Sequence, residues 1–368
     1  MKKLLALALT LCLALSLSVP ALAAGSSMSN FQKTDTYYNQ FTDVSASHWA
    51  ASSVKLCYEY GLMKGAAPNL FNLEGNLSLA EAIVMADRIH EIYTTGQSTI
   101  ANGTPWYQPY VDYAMDNGII SAGGFADYNA KATRAQMAQI FYNALPAAQL
   151  PPINTISSIP DVSSSASYAG AVTALYKAGV LTGSDMFGTF HPNNNIKRSE
   201  AAAILTRMAL PEQRQTVVLM KHVSQGNVNL AVPQSATEES ENGLYIQLSA
   251  LDGAGALMAQ YYDSAFQGVS ISIFSGTEIT NLITRAFANS GIIVGSGQST
   301  LVKFGSLAAY RTTGTMNLSG TVMDCVIYSY LSGSSLTMVC LLSYNNDTVL
   351  TNMANGLTVG GYAPSPLL

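Results

Sequence analysis

The sequence predicts a multidomain protein: an all-α, pseudo-trimeric repeat domain followed by an α+β domain with an antiparallel sheet. Two observations predict it. Between Phe41 and Leu210 one pattern of aromatic residue, Gly-centred stop and helix-opening tetrad occurs three times, with a period of about 60 residues. From residue 228 onward the pattern changes to short segments alternating apolar and polar residues, interrupted by two amphipathic helices, the signature of an antiparallel sheet with helices packed on it.

Residues 1–24 read as a secretory signal peptide: Lys2-Lys3, an apolar run from Leu4 to Val19, and a small-residue cleavage site at Ala21-Leu22-Ala23. The apolar run continues past Cys12, which argues against a lipoprotein. No later stretch reaches the roughly 18 apolar residues of a membrane span, so the mature chain is expected to be secreted, with no span after cleavage. About 340 residues then suit two domains or so. A net charge of −5 speaks against a nucleic-acid partner, and only 11% of residues are charged, as suits an uncharged polar, extracellular surface.

Residues 25–37 are expected to be a linker, followed by repeats over 38–96, 97–150 and 151–210. The opening segments are Phe41-Thr42-Asp43-Val44 with His48-Trp49, then Pro105-Trp106-Tyr107, then Ile159-Pro160-Asp161-Val162 with Tyr168. Each leads through a short helix to a glycine, at Gly61, Gly118 and Gly179, the aromatic-to-Gly spacing being 12, 12 and 11 residues. The glycines read as left-handed helix ends. The tetrads follow: Ser78-Leu79-Ala80-Glu81, Thr133-Arg134-Ala135-Gln136 and Lys197-Arg198-Ser199-Glu200. Ser78 with Glu81, and Thr133 with Gln136, match a capping box. Beyond each tetrad one apolar stripe must be buried: Ala82, Met85, Ala86, Ile89; Met137, Ile140, Phe141, Ala144; Ala201, Ile204, Leu205, Met208. Three such stripes can bury one another around a pseudo-threefold axis, which no single repeat could do. Phe71 and Phe190-His191-Pro192 read as loop anchors before the second helices.

Arg134 and Arg198 need a separate reason. Each stands at the first position of a helix, where the dipole is already positive. One reading is an anion site at an exposed helix N-terminus, with an opening-segment aromatic stacking on a sugar face. The other is a pairing of each Arg with a protein carboxylate, such as Asp161.

The order of F-x-D-V opening, G-(I/L/V)-(I/L/M)-x-G stop and T-R-A-E tetrad, in three copies, resembles the S-layer homology (SLH) domain of bacterial cell-surface proteins. The resemblance covers residues 38–210. It implies a helical pseudo-trimer whose grooves hold the protein non-covalently to secondary cell-wall polysaccharide, often pyruvylated, with the ketal carboxylate as the anion. Carried over, it implies glycan contacts from Asp43, Trp49 and Gly65 in the first copy, Trp106 and Arg134 in the second, and Asp161, Gly183, Lys197 and Arg198 in the third. Departures weaken the carry-over. Leu79 stands where the family has Arg, which implies a weakened or dead groove at the first copy; the second copy lacks the opening Asp, Tyr168 replaces Trp, and Lys197 replaces the capping Thr.

Residues 211–227 are expected to be a linker, 228–362 an α+β domain and 363–368 a tail. Strands are expected over 244–248, 269–273, 300–304, 322–330 and 336–343, with helices over 278–289 and 347–357. Val232-Pro233, the helix followed by 305–310, a long hairpin and a final helix resemble, loosely, a PsbP-like α/β sandwich, which implies a binding or accessory module. The run Gly291–Gly297 lacks a following helix and reads as a turn. Cys57 reads as a buried small hydrophobe. Cys325 and Cys340 lie on consecutive strands and face each other if a two-residue turn falls near Ser332-Gly333, giving either a cross-strand disulfide or two reduced core thiols. No CxxC, HExxH, Gly-x-Ser-x-Gly or P-loop occurs, and Glu238-Glu239 and Asp347 read as solvated or capping residues. No metal, cofactor or catalytic residue is assigned, and the chain is not expected to be an enzyme.

The expected function is that of a secreted surface protein anchored through its repeats to cell-wall polysaccharide and displaying a C-terminal binding or structural domain. The alternatives are a wall-bound hydrolase with its site in residues 228–362, and a structural subunit of a surface array.

Overall fold

A computed structural model describes residues 25–237, 253–288, 292–295, 297–318 and 320–367. The signal peptide, the strand expected over 244–248 and Glu238-Glu239 lie outside them. The chain forms two compact units, Met1–Leu150 with Asn193–Arg214, and Pro151–Pro192 with Gln215–Leu368.

The first unit holds helices α1 (Ala51–Glu59), α2 (Leu79–Thr95), α3 (Gln108–Asp116), α4 (Arg134–Asn143) and α6 (Arg198–Ala209). The three apolar stripes are buried as expected. α2 packs against both α4 and α6, and α1 against α6. Capping boxes close the N-termini of α2 and α4. At α6, Glu200 still reaches back to the Lys197 amide at 2.9 Å. Lys197 has no side-chain acceptor to return the bond.

The segments preceding the three tetrads close a ring. The Leu77 amide donates to the Ile196 carbonyl, Ile196 to Ala132 and Ala132 to Leu77, at 3.0, 3.0 and 2.9 Å. A second ring lies alongside: Leu79 donates to Ala130, Arg134 to Asn194 and Arg198 to Gly75, at 2.9, 2.8 and 2.9 Å. The second ring satisfies the first-turn amides that a helix leaves without an internal partner. The repeat thus closes by backbone bonds as well as by apolar stripes. The first unit also takes in residues expected to be linker: Phe31 is buried, and the Ser27 amide donates to the Tyr93 carbonyl.

The third copy is divided. Its first helix, α5 (Ala169–Lys177), belongs to the second unit and its second helix, α6, to the first. The second unit continues with β1 (Met220–Gln225), β2 (Val228–Pro233), β3 (Ala254–Tyr262), α7 (Gly276–Phe287), β4 (Ile293–Val294), β5 (Gln298–Phe304), β6 (Leu307–Leu318), β7 (Thr321–Ser332), β8 (Ser335–Ser343), α8 (Asp347–Asn355), β9 (Thr358–Val359) and β10 (Pro364–Pro366). Among the described residues a seven-stranded antiparallel sheet runs β10-β5-β6-β7-β8-β3 with β4 on β6, and a small sheet runs β1-β2-β9.

One face of the large sheet (Val326, Tyr328, Val339, Leu341) packs with α8 and the small sheet. The other (Cys325, Ile327, Met338, Cys340) packs with α7. With both faces covered, β8 is buried at eight of its nine positions.

Besides the segment 25–37, further expectations change: the expected tail 363–368 pairs with β5 through β10, and β4, on β6, falls within the glycine run expected to be a turn. Residues 269–273 are not a strand: the Ser270 hydroxyl accepts the Ser272 amide and turns Ile271–Ile273 into a 3-10 helix, a local bond that competes with a sheet ladder. The stretch 211–227 is no bare linker, because β1 begins at Met220 and its amide bonds the Met186 carbonyl of the third repeat's loop. Phe187 of that loop stacks on His222 with centroids 4.2 Å apart. In the β7–β8 hairpin the two-residue turn is Gly333-Ser334, one residue later than read. Cys325 therefore pairs with Leu342 and Cys340 with Ile327. The cysteines are diagonal neighbours and both are free.

Candidate functional site

The nine residues expected to touch glycan fall into distinct groups. Asp43 and Asp161 hold loops. Asp43 accepts the amides of Phe71, Asn72 and Leu73 at 2.8, 2.7 and 3.3 Å; Asp161 accepts those of Phe190 and His191 at 2.8 and 2.6 Å. Burial alone would raise the Asp43 carboxyl, but these amides outweigh it and hold it below the ordinary carboxylate range. Each aspartate thereby ties its opening segment to the buried Phe71 or Phe190.

Two of the glycines are packing requirements. A Cβ on Gly65 would lie 2.4 Å from the Phe41 ring, and one on Gly183, at φ +81°, would lie 2.5 Å from the Gly188 Cα. Trp49 and Trp106 remain 62% and 40% exposed, Trp49 leaning on His48 and Trp106 edge-on to Tyr107. Lys197 forms a surface ion pair with Glu74 at 2.6 Å.

The two arginines follow the protein-carboxylate reading, with a different partner from Asp161. Arg134 bonds Glu200 at 2.8 Å, and Arg198 approaches Glu81 at 3.5 Å. Their side chains are 12% and 7% exposed. The rule is cyclic: each Arg pairs with the tetrad glutamate of the next repeat. That glutamate divides its oxygens. One Glu200 oxygen accepts the Lys197 amide and the other the Arg134 guanidinium; Glu81 does the same with Ser78 and Arg198. At the remaining junction the two positions are Leu79 and Gln136, so the Arg and the Glu are replaced together. Gln136 keeps the capping bond to Thr133, at 2.9 Å. Its other terminal group is an amide NH2, which cannot accept from a guanidinium.

Arg198 reaches further. Its Nε donates to the Phe71 carbonyl at 2.8 Å and one terminal nitrogen to the Lys64 carbonyl at 2.7 Å, and its guanidinium lies 5.1 Å from the Phe71 ring centroid. It therefore pins both ends of the first repeat's loop, 64–71. On that loop two cavities of about 490 and 370 Å³ share Asp35, Gly61 and Lys64. The larger is walled by Phe41, Tyr58 and Gly65; the smaller by Tyr60, Arg88 and Tyr110. Phe41 sits among Tyr37, Tyr58 and Phe71 with centroids 5.5–5.8 Å away. Arg88 is anchored to the Leu62 carbonyl, whereas Lys64 is exposed. Of the nine expected residues only Gly65 appears in the cavity linings. Lys64, Tyr58 and Arg88, which line the cavities, are not among the nine, although Lys64 lies inside the Gly61–Gly65 stop itself.

The model of the S-layer homology domain matches residues 40–83 and 158–202. The chain thus carries S-layer homology domains at its first and third copies; the middle copy joins them through the backbone rings. Such domains imply attachment of a secreted protein to the cell wall or surface, and bind cell-wall polymers. Among the described residues no helix is long and apolar enough to cross a membrane. No curated protein matches the chain. Of the solved structures, that of cyanobacterial PsbP (CyanoP) from Synechocystis sp. PCC 6803 is similar over 38% of this chain and 92% of that one, at 9% identity and a TM-score of 0.27, a likeness too slight to argue from.

Proposed function

We propose that the chain is held at the surface by an anionic wall polysaccharide seated in the first repeat, and that the second unit is a binding or structural module rather than an enzyme. The observation that carries the glycan reading is the pair of adjoining cavities sharing Lys64, one with an aromatic wall. A sugar face stacks on Tyr58, and a ketal carboxylate such as that of pyruvate takes the Lys64 ammonium, the exposed cation at the join. Arg198 is a positioning residue here, because it holds the Lys64 backbone from behind.

The test is co-sedimentation of residues 25–368 with purified wall sacculi, before and after the acid treatment that strips secondary polymers. Binding only to untreated walls, weakened by Lys64→Ala in a chain of unchanged stability, supports the reading. Full binding to stripped walls, or by a folded Lys64→Ala chain, overturns it.

A further inference from the structure

We infer that the second unit carries a separate site for a small zwitterion, an amino-acid or short-peptide ligand with a free ammonium and a free carboxylate, in the groove between α8 and strands β6–β7. The argument is independent of the wall-polymer reading.

Directly paired residues of antiparallel strands share a face. Arg311 pairs with Tyr328, Thr313 with Val326 and Thr315 with Asp324. Val326 and Tyr328 pack with Val349, Met353 and Ala354, so this is the α8 face of the sheet. A cavity of about 390 Å³ opens there, lined by Arg311 and Tyr328, by Asp324 and Asp347, and by the apolar Val326 and Leu350. The Arg311 guanidinium bonds the Tyr328 side chain. Among the described residues it makes no ion pair, and neither do Asp324 and Asp347.

The charges are segregated along the groove. Asp324 lies four residues along β7 from the Arg311 partner Tyr328, about 13 Å at the rise of a strand. Asp347 opens α8 only four residues after Ser343, the residue that pairs with Asp324 on β8, so both carboxylates belong to the end of the groove away from Arg311. Two to three extended residues span about 7–11 Å, of the same order as that separation. A cation at one end, carboxylates at the other and an apolar floor between them match a ligand with the opposite charges at its own ends. A guanidinium favours a carboxylate, and the two aspartates favour an ammonium.

The test is titration of residues 25–368 with L-alanyl-L-alanine, followed by backbone amide NMR shifts. Saturable shifts at Gly314, Val326 and Thr351 are expected, with binding at least tenfold weaker for the N-acetylated and for the C-amidated dipeptide. Arg311→Gln should weaken the zwitterion at least tenfold, and Asp324→Asn, an exposed position, should do so severalfold in a chain whose fold is not in question. Absence of shifts in this groove overturns the proposal. So does equal binding of the blocked dipeptides, which would mark an anion-only or cation-only site, and so does unaltered binding by both variants.

Discussion

The Arg198 guanidinium donates to the Lys64 carbonyl at 2.7 Å, so the last helix of the repeats holds the loop that carries the candidate glycan contact of the first. The same guanidinium faces Glu81, and its Nε serves Phe71. Removing it leaves a carboxylate and two carbonyls short of a donor.

Arg198→Ala is therefore expected to destabilise the first unit by about 3–5 kcal/mol, the usual cost of breaking a buried charged network from one side. Arg198→Lys should recover only part, since an ammonium cannot reproduce the planar fork. Urea unfolding checks both; an Ala variant within about 0.5 kcal/mol of the parent would refute the assignment.

The replacement of Arg and Glu together at the Leu79–Gln136 junction points to pairwise dependence. A double-mutant cycle on Arg134→Leu and Glu200→Gln should give a coupling energy of about 0.5–3 kcal/mol, the double variant costing less than the sum of the singles. Strict additivity would show that the 2.8 Å contact contributes nothing to stability.

Asp87 on α2 is fully buried, and neither carboxylate oxygen has a hydrogen-bond partner. Burial, aided by Glu91, pushes its pKa up to about 8 from the ordinary 3.8, against the pull of Arg88. The folded chain then keeps a proton that the unfolded chain has lost, so this group's contribution to stability is complete below about pH 4 and falls up to about pH 8. The slope approaches about 1.4 kcal/mol per pH unit at most. Asp87→Asn should remove that slope and raise the melting temperature most near pH 8. An unchanged pH profile in the variant would refute it.

Cys325 and Cys340 are expected to stay reduced in an oxidising medium, because their register places them diagonally and the fold buries both. Burial, with Asp324 adding to it, pushes the Cys325 thiol up to about 11. Iodoacetamide at pH 8 should label neither in the native chain and both in urea. A mass two units low in the non-reduced protein would show a disulfide instead.

The local devices were legible in the residues themselves. A capping box spans three residues, a left-handed glycine end needs only its own backbone, and an apolar stripe repeats every turn. The caps at Ser78 and Thr133, the turned ends at Gly61, Gly118 and Gly179 and the three buried stripes could therefore be read along the chain. What the sequence by itself determined was thus the three-copy helical pattern and the change to a sheet beyond it. Only the tertiary structure decided the rest. The carboxylate for Arg134 lies 66 residues away and that for Arg198 lies 117 away, and which repeat follows which around the axis is not a local property. The shift of the β7–β8 turn by one residue separated the cysteines, since pairing depends on where the turn closes. The cavities beside Lys64 exist because residues from the opening loop, the Gly61–Gly65 stop and α2 meet there, and chain order carries no record of that meeting.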